Sequence, residues 1–207
     1  MTDLSAFAAL SPTTLGDVLG PEQMMDIGVR PLWGGIRRIA GPAYTVRCAP
    51  GDNLMLHAAI YRAAAGSVIV VQSGDTRAAL AGGNVCAVAQ RRGIAGFVLD
   101  GVVRDLDEVR AIDFPVFARG LMPAPGGKTA VAPLNEPVIC GGVRVQAGDI
   151  VVADDEGIAV VPGFRQDEVL HDATAKAAAE ASQSLDEWEA EHSARVESRL
   201  ADLGYSE

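Results

Sequence analysis

The order of apolar and polar residues along the first two thirds of the chain predicts strands that alternate with helices. Residues 67–71 (SVIVV) form a continuous apolar run, which is typical of a strand buried on both faces. Further strands are predicted at 39–48, 95–99 and 114–118, and helices at 12–17, 53–65, 84–92 and 105–112. The first of these helices has Ser11 as its N-cap and Pro12 as its first residue. This alternation favours βαβ units with right-handed crossovers.

The pattern changes after Pro137, where short apolar segments are separated by turns that contain Gly and Asp. Four further strands are predicted, at 138–140, 143–145, 150–152 and 158–161. The carboxylates of residues 154–156 could bind a metal ion, but they lie between two apolar segments, where Asp and Gly favour a hairpin. We therefore interpret residues 154–157 as a turn.

Residues 164–203 are rich in Ala and Glu and predict a helix. Its large apolar residues are few: Val169, Leu170, Leu185, Trp188, Val196 and Leu200. So narrow an apolar stripe suits contact with a neighbouring subunit better than an intramolecular core. A solvated, partly frayed tail is the alternative.

Together the elements predict an α/β fold with a central β layer or compact barrel, flanking helices and a protruding C-terminal helix. Residues 1–163 would form the α/β catalytic domain and residues 164–207 a helical extension between subunits. A chain of 207 residues is long enough to bury a sizeable core.

The charge balance excludes several classes of partner. With 27 acidic and 17 basic residues, the net charge of −10 argues against nucleic acid and against an anionic membrane surface. The chain has no apolar run of the roughly 18 residues that a membrane span needs. It has no basic residue before Arg30, so we expect no signal peptide and a cytoplasmic location. The three cysteines are far apart and are expected to be buried thiols.

The candidate site lies in residues 80–108. Gly82-Gly83-Asn84-Val85 precedes a predicted helix, whose unpaired backbone N–H groups could bind an anion, although a plain turn is the alternative. Asp100-Gly101 follows a predicted buried strand, and ligands of α/β sheets collect at the carboxyl ends of strands. Arg104 and Asp105 come next.

Each charged residue of this segment has a chemical and a structural interpretation. Arg104 can bind a carboxylate through two parallel hydrogen bonds, or form a surface ion pair with Asp107 or Glu108. Asp105 offers an oxygen ligand for Mg²⁺, or a cap for the next helix. Glu108 could orient a metal-bound water, or form a capping box with Asp105. His57, one turn into a helix, is interpreted as a packing residue.

The spacing Gly83-X20-Arg104-Asp105-X2-Glu108 resembles the motif of the regulator of ribonuclease activity A-like proteins and of the related class II pyruvate aldolases, the 4-hydroxy-4-methyl-2-oxoglutarate aldolases. Residues 10–17, 50–53, 117–120 and 148–155 also resemble family blocks, in family order. The likeness covers about residues 10–163 and is poorest in the terminal helix.

The resemblance implies a swivelling β/β/α-type domain, assembled as homotrimers or hexamers with sites between subunits. It also implies a divalent ion, Mg²⁺ or Mn²⁺. Asp105 would be its ligand, Arg104 would bind a small 2-keto acid, and the turn from Gly82 to Val85 would hold the carboxylate of that acid. Glu180 would be the acid supplied by a neighbouring subunit.

One residue departs from the aldolase pattern. The characterised aldolases typically have Asp at the position of Gly83, where it reaches the metal through water. Glycine is the pattern of the regulator-like branch, in which oxaloacetate decarboxylation is the expected activity. The resemblance therefore leaves aldol cleavage and decarboxylation both open.

The expected function is that of a metal-dependent lyase, which cleaves or decarboxylates a 2-keto acid and releases pyruvate. Both reactions leave an enolate, whose charge a metal ion and Arg104 would stabilise. The alternative is a non-catalytic, protein-binding regulator of ribonuclease activity that acts through an acidic surface. Arg104 and Asp105 favour the lyase, because a pure binder would not need this charge geometry.

Overall fold

The computed structural model describes residues 4–205, which fall into two compact units that divide between Ala173 and Thr174. The helices are α1 (Leu4–Ala9), α2 (Pro12–Leu19), α3 (Leu54–Ala59), α4 (Gly83–Arg91), α5 (Leu106–Ala111), α6 (Gln166–Ser182) and α7 (Leu185–Asp202). The strands are β1 (Arg30–Pro31), β2 (Ile39–Arg47), β3 (Val68–Gln72), β4 (Gly96–Val103), β5 (Val116–Leu121), β6 (Val138–Cys140), β7 (Val143–Val145), β8 (Ile150–Asp154) and β9 (Gly157–Val161).

Seven strands of the first unit form one sheet, in the order β1-β5-β4-β3-β2-β8-β9. Strands β2 to β5 run parallel, as βαβ units require, and the outer strands pair antiparallel. The segment before β1 connects the two edges, because Met24 bridges Ala159 of β9 while Arg30 pairs with Ala118 of β5. The sheet is therefore a nearly closed barrel with flanking helices, and the predicted α/β fold class is confirmed.

The position of strand β3 between two cores explains why its sequence is apolar without interruption. Ile69 and Val71 belong to a core shared with the flanking helices, whereas Val68 and Val70 belong to a second core that includes the β6–β7 hairpin. All four side chains are fully buried. The three cysteines are also buried and free, as predicted, and burial raises the pKa of Cys48 to about 11.

Two predicted elements of the first unit differ most in length from the structure. Strand β4 continues past residue 99 to Val103, with a register shift against β5 between Leu99 and Val102. Helix α3 ends at Ala59 instead of residue 65. The Arg92 guanidinium donates hydrogen bonds to the carbonyls of Ile60 (2.7 Å) and Tyr61 (3.2 Å), and these contacts favour an irregular path after the helix.

The acidic segment at 154–157 is a hairpin turn between β8 and β9, as predicted. Asp154 forms an ion pair with Arg38 (2.8 Å). Asp155 accepts hydrogen bonds from the backbone N–H groups of Gly35 and Ile36. These carboxylates therefore fix the turn against the segment before β2.

The terminal helix is two helices, which corrects the prediction of one continuous helix. Ser184 caps α7 through a capping box with Glu187, so the chain restarts after a break at Gln183. Helix α7 buries none of its residues, and Leu185 and Trp188 are exposed. Among the helices of residues 4–205, none is long and apolar enough to cross a membrane.

Candidate functional site

The two halves of the motif meet at the carboxyl ends of β3 and β4. The Leu80 N–H donates to the Val102 carbonyl (2.8 Å), and the Arg104 N–H donates to the Ala81 carbonyl (3.0 Å). This pairing sets the glycine turn beside Arg104 and Asp105. Ligand sites of parallel sheets form at this edge.

Asp105 has a left-handed backbone, with φ 58° and ψ 42°, directly before α5. This conformation is uncommon for a non-glycine residue and is strained. The carboxylate does not cap α5, so the predicted cap and the capping box with Glu108 are wrong. Its Oδ2 accepts a hydrogen bond from the Gly83 N–H (3.2 Å) and lies 3.4 Å from Arg104 Nε. The strained backbone thus directs the carboxylate toward the glycine turn.

Two carboxylates lie over two consecutive glycines. A Cβ atom at position 82 would meet the Asp105 carboxylate, and one at position 83 would meet the side chain of Glu108. Each glycine therefore provides the space that an acidic side chain of the motif occupies. The sequence alone did not predict this packing.

Helix α4 begins at this turn, with Gly82 as a cap that has no side chain. The N–H groups of Asn84 and Val85 have no acceptor within the helix, because the residues four positions earlier precede it. Such groups, together with the helix dipole, favour an anion at this end.

A cavity of about 90 Å³ opens at this edge of the sheet. Five predicted site residues line it: Gly82, Asn84, Val85, Arg104 and Asp105. Its remaining lining residues are Asn53, His57, Ala79, Ala81, Pro125 and Lys128. Gly83 and Glu108 are not among the lining residues. Asp100 instead pairs with Arg119 and accepts a hydrogen bond from the Gly141 N–H. A cavity this small suits a small metabolite better than a nucleotide or a peptide.

Sequence reasoning missed the wall formed by Asn53, His57 and Lys128. The interpretation of His57 as a packing residue is incomplete, because its side chain also lines the cavity. A signal was present: residues 50–57 follow β2 and residues 122–128 follow β5, so both leave the carboxyl ends of parallel strands.

His57 is half-buried and neutral near pH 7. Burial lowers its pKa below the ordinary 6.5, and the charge of Lys128 lowers it further. The Nε2 atom of His57 and the Oδ1 atom of Asn53 are buried without a hydrogen-bond partner in the structure. Buried polar atoms of this kind usually pair with a protein group, a water or a ligand.

The loop that carries Lys128 is fixed by the buried Asp52. Its Oδ2 accepts hydrogen bonds from the N–H groups of Thr129 (2.5 Å) and Ala130 (3.1 Å) and from the Thr129 hydroxyl (3.1 Å). Its Oδ1 accepts one from the Leu54 N–H (2.9 Å). Burial alone would raise the pKa of Asp52, but these hydrogen bonds outweigh it and lower the pKa below 3.8.

The residues present fit a hard divalent ion that retains part of its water shell. Within residues 4–205, no three His, Cys, Asp or Glu side chains converge as a ready ligand set. Asp105 and Glu108 nevertheless offer carboxylate oxygens over adjacent glycines. Mg²⁺ commonly binds through one or two carboxylates and waters, whereas a soft metal would prefer thiolates. Burial raises the pKa of the nearby Cys86 to about 12, so it is a thiol.

Glu180 lies in the second unit, where it forms an ion pair with Lys176 (2.8 Å). Its carboxylate is about half exposed. Its role toward a neighbouring subunit stays a prediction.

A family model and a curated relative indicate one family. A model of the RraA-like family, described as aldolase/RraA, matches residues 12–160. A protein of Halalkalibacterium halodurans named "Putative 4-hydroxy-4-methyl-2-oxoglutarate aldolase" is 38% identical over 176 residues, which are 84% of this chain and 83% of that protein.

Two solved structures are also similar. The RNA-processing inhibitor RraA of Thermus thermophilis matches with 30% identity and a TM-score of 0.66, over 73% of this chain and 92% of its own. An unusual member of the RNase ES inhibitor RraA family from Streptomyces coelicolor matches with 29% identity and a TM-score of 0.73. The match covers 86% of this chain and 93% of that chain.

Proposed function

This chain belongs to the RraA-like family, and from that premise we propose that it is a divalent-metal-dependent lyase acting on a small 2-keto acid. Aldol cleavage of a 4-hydroxy-2-keto acid and decarboxylation of oxaloacetate are the two candidate reactions, and both yield pyruvate. The observation that carries the proposal is the convergence of Arg104, Asp105 and the N-terminus of α4 on one small cavity.

The chain's own groups would provide two sets of hydrogen-bond donors for the keto-acid end of the substrate. The N–H groups of Asn84 and Val85 would bind the carboxylate next to the keto group. Arg104 would hold the same end through its planar guanidinium and would stabilise the negative charge that develops on the keto oxygen. Because Arg104 is directed by its neighbour Asp105 (3.4 Å), its position is set before substrate binds.

Asp105 would hold the divalent ion, and Glu108 would orient a metal-bound water. When bound, such an ion supplies Lewis-acid stabilisation of an enolate. No lysine Schiff base is required, since neither Lys128 nor Lys176 belongs to the motif. Glu180 of a neighbouring subunit is the proposed additional acid.

A non-catalytic regulator of ribonuclease activity is the second candidate function. It is supported by the similarity to two solved structures, one named an RNA-processing inhibitor and the other an unusual member of the RNase ES inhibitor family. The net charge of −10 would suit binding to a basic protein surface. The polar cavity has no role in this function.

A coupled assay of pyruvate release distinguishes the two candidates. The purified protein is incubated with oxaloacetate, 4-hydroxy-4-methyl-2-oxoglutarate and related keto acids, with Mg²⁺ or with EDTA. The lyase proposal predicts enzyme-dependent pyruvate release in Mg²⁺ that EDTA abolishes. Absence of release from every acid, together with inhibition of a purified ribonuclease by stoichiometric protein, would support the regulator instead.

A further inference from the structure

Two buried acceptor atoms in the cavity wall have no donor. Asn53 and His57 lie one turn apart at the start of α3, and both line the cavity. The Oδ1 atom of Asn53 and the Nε2 atom of His57 have no hydrogen-bond partner among residues 4–205. Asn53 as a whole is only 5% exposed, so bulk water does not satisfy it. Buried acceptors of this kind point to a ligand that donates a hydrogen bond.

The other ends of both side chains fix their orientation. Asn53 Nδ2 donates a hydrogen bond to the Ala79 carbonyl (3.1 Å). Burial is the main cause that lowers the pKa of His57, and a hydrogen bond to the Leu80 backbone acts in the opposite direction. An acceptor has this effect on an imidazole. The ring therefore donates to the Leu80 carbonyl, since the Leu80 N–H already donates to Val102.

This hydrogen bond determines which nitrogen of His57 carries the proton. Because Nε2 has no partner, the nitrogen that donates to Leu80 is Nδ1. In the neutral ring Nε2 then has a lone pair. The backbone that holds the ring is also fixed, because the Gly126 N–H donates to the same Ala79 carbonyl as the Asn53 amide (3.1 Å). The cavity wall thus contains an oriented base whose lone pair is unused.

The two candidate reactions differ in their need for such a base. In the decarboxylation of oxaloacetate a carboxylate leaves as CO₂, and no hydroxyl proton has to be removed. Aldol cleavage starts from a hydroxyl at C4, and the carbonyl product forms only when that hydroxyl loses its proton. A hydroxyl is also a suitable donor for an unpaired acceptor. His57 therefore fits aldol cleavage and has no task in decarboxylation.

We propose that His57 is the general base of aldol cleavage, and that its Nε2 accepts the C4 hydroxyl proton of a 4-hydroxy-2-keto acid. This inference rests on the proposed function and assigns a catalytic residue that separates its two candidate reactions. As the proton moves to Nε2, the C3–C4 bond breaks, C4 becomes a carbonyl carbon, and the electron pair of that bond forms the pyruvate enolate.

Protons return to water after the bond breaks. The enolate takes a proton from water at C3, and the His57 imidazolium gives its proton back to water. Asn53 Oδ1 can hold that water, because it is the second unpaired acceptor of the wall. The enolate of decarboxylation is protonated in the same way, so that reaction does not depend on His57.

Two substrates of the same protein test the proposal. Pyruvate release from 4-hydroxy-4-methyl-2-oxoglutarate and from oxaloacetate is measured in Mg²⁺, with the spontaneous rate subtracted, for the wild type, His57→Gln and His57→Ala. Glutamine can accept a hydrogen bond from the hydroxyl but cannot take its proton, whereas alanine can do neither. His171→Gln is the matched control, because His171 is exposed in α6 and lies outside the cavity.

We expect His57→Gln to lower kcat for aldol cleavage by about 10²–10⁴-fold, the usual contribution of a general base, while KM changes little. His57→Ala should lose as much in kcat and should also raise KM. Both variants should decarboxylate oxaloacetate at the wild-type rate, which shows in addition that they are folded. His171→Gln should leave both reactions unchanged.

Three results would overturn the proposal: normal aldol cleavage by His57→Gln, equal loss of both reactions in a variant that thermal melts show to be folded, or a wild type that decarboxylates oxaloacetate but cleaves no 4-hydroxy-2-keto acid. The second result would place His57 at the shared enolate step. The third would leave the lyase function intact. A wild type that releases no pyruvate from any keto acid would instead refute the lyase function itself, so the two failures are distinguishable.

Discussion

A lysine at position 104 separates the shape of the Arg104 guanidinium from its positive charge. Arg104→Lys keeps a cation but loses the planar fork that matches a carboxylate, so we expect a higher KM and a lower kcat/KM. Its side chain is about two-fifths exposed, so the melting temperature should change little. Steady-state kinetics and thermal melts of the two proteins check this. A lysine variant that melts several degrees lower, with normal kinetics per folded molecule, would show that Arg104 has only a structural role.

At the residue scale, the sequence predicts one half of the site and misses the other. Arg104, Asp105 and the glycine turn are recognisable because they follow consecutive strands of a parallel sheet. Lys128 is not, because its place depends on hydrogen bonds between Asp52 and residues more than seventy positions away. The left-handed backbone of Asp105 is also invisible in a pattern of residue types.

At the element scale, the contact between α4 and α5 requires a residue without a side chain at position 83. Gly83→Ala would push against Cβ and the carboxylate of Glu108 and displace the start of α5. We expect a loss of about 1–3 kcal/mol in the free energy of unfolding, which is typical of overpacking. The double variant Gly83→Ala/Glu108→Ala should recover most of this loss.

Gly16→Ala is a matched control for that experiment. An added carbon there meets only Met24 Sδ at 3.6 Å, an ordinary contact, and alanine favours helix α2. Denaturant unfolding of the four proteins measures the effects. If Gly83→Ala is as stable as the wild type, the described packing of Glu108 over the glycine is wrong.

The loop that carries Lys128 is held by Asp52, and this contribution to stability should depend on pH. Asp52→Asn places an amide against backbone N–H donors and should cost about 1–3 kcal/mol of unfolding free energy. Because folding lowers the pKa of Asp52 below 3.8, its stabilisation is complete above that pH and decreases as the pH falls below it. The difference in unfolding free energy between the wild type and Asp52→Asn should therefore decrease in acid. A difference that is constant from pH 6 to pH 3 would contradict this role of Asp52.

Elements with a strong local pattern are predicted well, and elements ended by distant contacts are not. The buried strand β3 and the hairpin β8–β9 follow directly from their apolar residues and turn. Helix α3 is shorter than its apolar pattern suggests, and the guanidinium of Arg92 binds the carbonyls just beyond it. The break before α7 is local, since Ser184 and Glu187 form a capping box inside a continuous polar pattern.

At the scale of the whole molecule, helix α7 suggests an assembly. Its apolar residues Leu185, Trp188 and Val196 are exposed in the single chain, and association would bury them. We predict a trimer or a dimer of trimers, in which Glu180 of one subunit reaches the site of another. Deleting residues from 175 onward should lower both the mass of the assembly and its activity. A light-scattering mass near 21.5 kDa for the active full chain would refute this.

The most direct test of the proposed chemistry compares pyruvate release by the wild type and Asp105→Asn. The amide is nearly the same size as the carboxylate, so the fold should persist, which a thermal melt checks. We predict that the wild type requires Mg²⁺ and loses activity in EDTA. The variant should lose roughly 10²-fold or more in kcat, because it lacks a group that stabilises transition-state charge. Full activity of the wild type in EDTA, or of the folded variant in Mg²⁺, would contradict a metal-dependent lyase.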